Sequence, residues 1–313
     1  MKMSGNEECS LVCWIQWIVY IPTFVVGLVF NLSALWILLF KIRKCTESTV
    51  YLANLILNDS FLLFSLPFKI HSYKYNWVLG NTLCSFLESL LYVNMYGSIL
   101  LITCISVDRY IALRHPFLAK TLRSPQKAAV ACFTIWIVIF GASVEVYNLH
   151  EKNATYCFRG FSNRTWEKVH IVVVMETVYT ASALIMIFCS IQVIRTLRTM
   201  RKRKAEVQTL KNNKSVKIVL SNLVTFLVCF TPYHIAALVY FIAKKKVTES
   251  IQPLRDFVHL SICLTSINCL FDAICYYFIF KENWISAKQA NEQEQQCMKK
   301  SENIPTVIAQ TTR

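Results

Sequence analysis

Glycine and proline are scarce in this chain, 6 and 7 among 313 residues, and no internal repeat relates its halves. A pair of short, glycine-interrupted apolar segments in matching positions of two halves marks many secondary transporters, and none is present. The apolar segments also lack any pair of metal ligands and any nucleophile beside a base, so no enzyme chemistry is legible. No cleavable leader is evident: Lys2, Glu7 and Glu8 precede a first apolar run too long for a signal h-region, and no small-residue cleavage pattern closes it. That run is expected to serve as its own insertion signal. Acidic residues are few, 18 against 33 Lys and Arg, for a net charge of +15. The basic residues fall mainly in short loops, and no nucleic-acid partner is expected.

Apolar surface, by contrast, is abundant. The composition is 55% hydrophobic with 7 Trp, 14 Tyr and 20 Phe, and the mean hydropathy is +0.43, too apolar for a soluble domain of this size. Mostly apolar runs recur near 14–40, 48–68, 84–107, 128–149, 169–194, 216–243 and 256–280, each long enough to cross a bilayer. The fold class is therefore an all-α membrane protein, a seven-transmembrane helix bundle. Residues 1–13 form an N-terminal segment, 14–280 the membrane domain and 281–313 a polar tail. A multi-pass plasma-membrane protein is expected.

Orientation follows from where Lys and Arg fall. The loops near 41–46, 114–127 and 195–217, together with Arg109 and the tail, hold 22 of the 33. That side is expected to be cytoplasmic, with the N-terminus outside and the tail inside. Asn153-Ala-Thr and Asn163-Arg-Thr are glycosylation sequons in the loop after the fourth span, on the side assigned outside by the independent charge count. Asn31-Leu-Ser and Asn58-Asp-Ser also fit the pattern but lie within spans and are read as unmodified. Of 13 cysteines, Cys84 and Cys157 are the two placed near the membrane on the outer face. Cys9 and Cys13 are open to a mutual bond or to remaining free, and Cys297 in the tail is a palmitoylation candidate.

The third span organises the rest. It runs from Cys84 to Asp108-Arg109-Tyr110, and its length of about 37 Å slightly exceeds the roughly 30 Å hydrocarbon core. Between those ends Glu88 is its one charged residue. Asp108 beside Arg109 offsets part of the cost of an arginine at the membrane edge. Glu88, Tyr92 and Tyr96 recur every four residues and share one face. Beyond Arg114-His115, Pro116 stops the helix and presents Phe117, either packed down or offered to a partner beside basic residues.

Buried polar side chains mark the other spans. Asn31 lies in the first, Asp59 and Pro67 in the second, and Asn268, Asp272 and Tyr276 follow at intervals of four in the seventh. A carboxylate at mid-membrane is a functional hypothesis by default. Asp59 and Asp272 require company from each other, from Asn31, Asn268 or Ser98, from water, or from a small cation such as Na⁺, for which hard oxygen ligands are suited. A shared proton is the competing account. In the sixth span, Cys229-Phe230-Thr231-Pro232 predicts a hinge-like kink at Pro232, with His234 one turn above Phe230. The run Arg201 to Lys204 suits anionic lipid headgroups or an acidic partner.

The outer half is basic: Lys69, Lys74, Arg255 and several loop residues stand there with His71, His234 and His259. No aspartate one turn above Tyr96 is available to receive an amine. An anionic small molecule or lipid is therefore favoured, with Lys69 as first anchor, Arg255 beside it, and an acyl or aromatic body against Tyr92, Tyr96, Phe230, His234 and Tyr240. A salt bridge between Lys69 and Glu88 is the plain structural alternative. Buried Asp59, Asp272 and Glu176 would also suit an ion-coupled transporter or channel, and Asp59→Asn would separate these readings by altering ion flux or only agonist potency.

Taken together, N-out topology over seven spans, Asn31, Asp59, Cys84, Asp108-Arg109-Tyr110, Trp136, Cys157, the CFTP stretch at 229–232 and DAICY at 272–276 resemble a rhodopsin-like G-protein-coupled receptor across about residues 14–280. SLPFK at 65–69, MYGS at 95–98 and SINCLFD at 266–272 are similar to the purinergic and lysophospholipid branch. AICYY after Asp272, LRSPQ at 122–126 and IPTFVVGLVFN at 21–31 look like the lysophosphatidylinositol receptor and its kynurenate-responsive relative. The resemblance implies a Cys84–Cys157 disulfide and an allosteric sodium pocket of Asp59, Ser98, Asn268 and Asp272. It implies coupling to a heterotrimeric G protein, of Gi type or Rho-activating, through Asp108, Arg109, Tyr110 and Phe117, with Arg109 leaving Asp108 as Pro232 lets the sixth span swing. Ala273 stands where the family usually has proline. Ser182 or a neighbour replaces the usual proline of the fifth span, and Ser190 stands near the tyrosine that usually meets Tyr276, so the switch geometry of those spans departs from the pattern.

Overall fold

The computed structural model describes residues 11–42, 45–147, 157–158, 168–202, 206–246 and 252–273. Among them there is no strand. The helices are α1 (Leu11–Phe40), α2 (Glu47–Lys74), α3 (Asn81–Arg114), a short α4 (Pro116–Leu122), α5 (Pro125–Tyr147), α6 (Val169–Lys202), α7 (Glu206–Cys229) and α8 (Thr231–Lys246), and α9 (Gln252–Ala273). Because α7 and α8 make one span, seven helical stretches among the described residues are long and apolar enough to cross a membrane, and each overlaps its expected place.

Local sequence explains the boundaries. At the start of α2 a capping box closes the first turn: Thr49 Oγ1 accepts from Thr46 N at 2.8 Å and Thr46 Oγ1 accepts from Thr49 N at 3.3 Å. Gly80 precedes α3 with φ 86°, a conformation that disfavours any side chain although nothing lies within 4 Å of its Cβ position. His115 ends α3, and Pro116 opens α4, where its missing N–H costs nothing. Between α7 and α8 the helix is interrupted at Phe230, two residues before Pro232. Phe230 N donates to Phe226 O and His234 N to Phe230 O, whereas Pro232 has no donor to offer between them, which is the expected cause of the break.

The central helix is α3, which packs against α2, α5, α6 and α7. Leu52, Leu55, Ile99, Ile102, Met186, Ile218, Phe226 and Phe230 build the core around it. On the outside, Val25, Val29 and Trp36 of α1, Val130, Phe133 and Ile137 of α5, and Leu184 and Phe188 of α6 are exposed. So much contiguous apolar surface would aggregate in water and instead suits a bilayer. Backbone groups satisfied within helices meet the same environment's other demand. Asn31 and Asn58 are buried within α1 and α2, in accord with their reading as unmodified sequons. Asn153 and Asn163, Cys9, Tyr276 and the whole tail, including Cys297, lie outside the described residues.

Candidate functional site

At the Cys84 end of α3, the chain beyond α5 is fastened by a disulfide between Cys84 and Cys157, with Cα atoms 5.7 Å apart. Phe158 follows with φ 63°, strained for a bulky residue. The disulfide and a hydrogen bond hold it there, its N–H donating to Glu88 Oε1 at 2.9 Å. Trp77 packs edge-on against its ring. Cys13 is also disulfide-bonded, which removes the free-thiol alternative at that position.

Phe158 forms part of a cage around Lys69. This lysine is 3% exposed, and its Nζ lies 4.5 Å from the Tyr20 ring centroid and 5.9 Å from that of Phe158. Tyr20 is itself stacked on Tyr73. Among the described residues Lys69 forms no ion pair. The sequence alternative of a direct bridge to Glu88 is not formed: Glu88 Oε1 accepts from the Phe158 amide, and Glu88 acts on Lys69 from beyond ion-pair distance. On α9, His259 stands close enough to Lys69 and Arg255 to feel both charges. His259 on α9 thus stands in electrostatic reach of both Lys69 of α2 and Arg255 of its own helix.

Deeper between α3, α6 and α8, His234 is 1% exposed. Its Nδ1 is 3.1 Å from Glu176 Oε1. Its ring stacks on Tyr179 at 4.0 Å between centroids and meets Tyr96 edge-on at 6.0 Å. The Tyr179 hydroxyl donates to Thr231 Oγ1 at 2.8 Å. Tyr92 and Tyr96 flank the core on this side, while Phe230 and Tyr240 are buried within it.

The mid-membrane amides divide differently from expectation. Asn31 Nδ2 donates to Ile56 O and Ser60 Oγ, both at 3.1 Å. Ser98 Oγ accepts from Asn58 Nδ2 at 2.9 Å. The same amide reaches Asn94 O at 2.9 Å, and Asn94 Nδ2 donates back to Asn58 O at 3.1 Å. Asn58 and Asn94 join the candidate site only through this pairing; the sequence signal for Asn58 is an amide beside the mid-membrane Asp59, and Asn94 carries none. Asn268 Nδ2 donates to Asp272 Oδ2 at 2.7 Å. Asp59 and Asp272, both buried, act electrostatically on one another. Asp272 Oδ1 and Asn268 Oδ1 are buried without a hydrogen-bond donor among the described residues, so hard oxygen ligands for a small cation are present.

At the opposite end of α3, Asp108 and Arg109 are both buried. Sequence reading pairs them, yet adjacent helical residues project about 100° apart and face different neighbours. Both Asp108 oxygens accept from Arg123, Oδ1 from Nε at 2.7 Å and Oδ2 from Nη2 at 3.0 Å. Arg109 Nη2 donates to Ser48 Oγ at 2.7 Å. Tyr110 OH lies 3.2 Å from His115 Nε2. Phe117 on α4 is 85% exposed, so it is offered outward rather than packed down.

The central helix thus carries a caged lysine beside one end, a buried polar core at its middle and a buried guanidinium at the other end. Comparison with known proteins supplies the class. The sequence model of the 7 transmembrane receptor (rhodopsin family) matches residues 30–276. The chain is 35% identical to lysophosphatidic acid receptor 6 of Gallus gallus over 85% of its own length and 90% of that receptor's. It is 32% identical to G-protein coupled receptor 35 of Mus musculus over 85% of each, and 32% identical to G-protein coupled receptor 55 of Homo sapiens over 86% of each. The chain belongs to the rhodopsin-like G-protein-coupled receptors. It is a receptor of the plasma membrane and not an enzyme, and the transporter alternative finds no support among these relatives.

Proposed function

We propose that the chain is a receptor for an extracellular anionic amphiphile, of the lysophosphatidic acid kind or an aromatic acid of similar charge. Lys69 carries this reading: a nearly fully buried ammonium held against ring faces without a direct ion pair among the described residues, and with His259 in electrostatic reach, is a place where a phosphate or carboxylate would supply a close counter-charge. Tyr92, Tyr96 and His234 receive the body of the ligand, with Phe230 below them. The N-terminus faces outside, which puts this cage in reach of an extracellular ligand and Arg109 in reach of a heterotrimeric G protein of Gi or Rho-activating type. The test is G-protein activation in cells presented with lysophospholipids, nucleotides and aromatic acids. A response to one anionic class supports the reading, and a response confined to amines overturns it.

Na⁺ is the allosteric ion of this reading, held by Asp272, Asp59, Asn268 and Ser98. Its role is to stabilise the ligand-free arrangement of the polar core. Sodium is expected to weaken agonist binding to the wild type several-fold relative to an equal concentration of N-methylglucamine, as couplings of this kind do. Asp272→Asn removes the charge that attracts the ion and is expected to abolish the difference. A sodium effect that survives in Asp272→Asn removes the pocket, and one replaced by a dependence on pH favours the shared proton.

A further inference from the structure

We propose that the connection between α2 and α3, residues 75–80, is a membrane-inserting loop that rests on the headgroup–acyl boundary of the leaflet at the Cys84 end of α3. Its conformation is fixed from within the protein. Trp77 is buried, and its Nε1 donates to Gly80 O at 2.8 Å. The Trp77 ring meets Phe158 edge-on at 6.3 Å between centroids, in a cluster with Cys84, Leu87 and Cys157. Gly80 turns the chain into α3 with φ 86°. With Trp77 committed inward, the next two side chains point away from the protein: Val78 is 83% exposed and Leu79 51%. A slack loop would fold such side chains back onto the bundle, whereas this one is pinned by Trp77 and cannot.

Two observations name lipid as the occupant of this surface. From Tyr75 through Leu87 the chain holds no Lys, Arg, His, Asp or Glu. The other connections at this end of the bundle are charged: the chain between α5 and α6 holds Lys152, Arg159, Arg164 and Lys168, and the one after α8 follows Lys244, Lys245 and Lys246. A single charge-free loop on a side otherwise rich in charge has the composition of a segment that leaves water. Secondly, its surface continues the one that faces the bilayer. Leu57 and Phe64 are exposed along α2, Phe86 is exposed near the start of α3, and Tyr75 is exposed where the loop begins. His71 of α2 stacks on Tyr75 at 4.8 Å between centroids. Amphipathic rings of this kind collect at the membrane–water interface. Because Trp77 also packs on Phe158, whose ring lies 5.9 Å from Lys69 Nζ, the loop ties the lysine cage to the leaflet surface.

The test needs no agonist, so it stands apart from the anionic-ligand reading. The receptor is reconstituted in phosphatidylcholine nanodiscs with an NBD fluorophore on Val78→Cys. Cys45 is an exposed free thiol, so the variant is built on Cys45→Ser, and that parent, labelled alike, supplies the background to subtract. Two quenchers are compared: a nitroxide near the carbonyl end of the lipid chains, and iodide in the water. The nitroxide is expected to quench several-fold more strongly than iodide. Leu79→Cys is expected to answer alike and serves where Val78→Cys does not assemble. With the label at Leu79→Cys, Val78→Asp is expected to lift the loop and move the balance toward iodide, because a carboxylate is costly to take out of water. Iodide as the stronger quencher at these positions overturns the proposal. So does a label that neither quencher reaches, since protein, such as a second copy of this chain, would then cover the patch. A balance that Val78→Asp leaves unchanged overturns it too, because the exposed side chains would then have no part in setting the depth.

Discussion

Lys69→Met is expected to abolish the response to the activating anion while leaving the receptor folded and at the cell surface. The two effects separate because the lysine is buried without a direct ion pair among the described residues: its Nζ lies against the Tyr20 and Phe158 rings, and Glu88 acts on it only from beyond ion-pair distance. Ring faces supply about 0.5–2 kcal/mol to a cation, far below the desolvation it has undergone. Methionine fills a similar volume without charge, so the ligand-free receptor is expected to be at least as thermostable as the wild type. Removal of one partner of a desolvated charge pair typically costs about 2–5 kcal/mol of binding, or roughly 30-fold to several thousand-fold in affinity. Radioligand or fluorescent-agonist binding on membranes, beside thermal denaturation of the purified receptor, measures both. Retained affinity would move the anchor to Arg255 and His259, and lost surface expression would make Lys69 a folding residue.

The largest loss of stability is expected from Gly97→Leu. A Cβ at this position would collide with the carboxamide of Asn58, with Cγ at 2.8 Å and Oδ1 closer still. That carboxamide is pinned to Asn94 O and Ser98 Oγ and cannot swing aside without surrendering both bonds. Overpacking costs about 1–3 kcal/mol, and a buried amide left unsatisfied adds about 1–3 kcal/mol. Gly97→Ala is expected to show a smaller loss of the same kind. Gly141 is the control: it too lies within a helix, but nothing stands within 4 Å of its Cβ position. Gly141→Ala should therefore be neutral or stabilising by up to about 1 kcal/mol. Melting temperatures of the purified variants in one detergent decide the comparison, and equal losses at both glycines would refute the Asn58 account.

Features carried by one segment at a time were legible before the fold was known. The seven spans, the interruption before Pro232 and the end of α3 at Pro116 each follow from hydropathy or from a missing backbone donor. The family's Cys84–Cys157 bond is present. The candidate site was legible as a set of costly residues: Lys69, Asp59, Asp272 and Arg109 are all charged side chains in apolar helices, which membrane burial makes conspicuous. Their partners were less so. Tyr20 lies 49 positions from Lys69, and nothing about a tyrosine in an apolar helix shows which cation it faces. The same holds for Glu176 and His234, 58 residues apart, and for Asn58 with Asn94.

The sequence by itself thus determined that this protein crosses a membrane seven times, where its helices start and stop, and which charges are buried there, because burial energies and backbone donors are properties of local chain. Only the tertiary structure decided who meets whom. Asp108 and Arg109 are neighbours in the chain, yet helical geometry turns them apart, one to Arg123 and the other to Ser48. Hydrogen bonds and ion pairs act over about 3–4 Å, and in a bundle that distance is set by how helices pack and rotate.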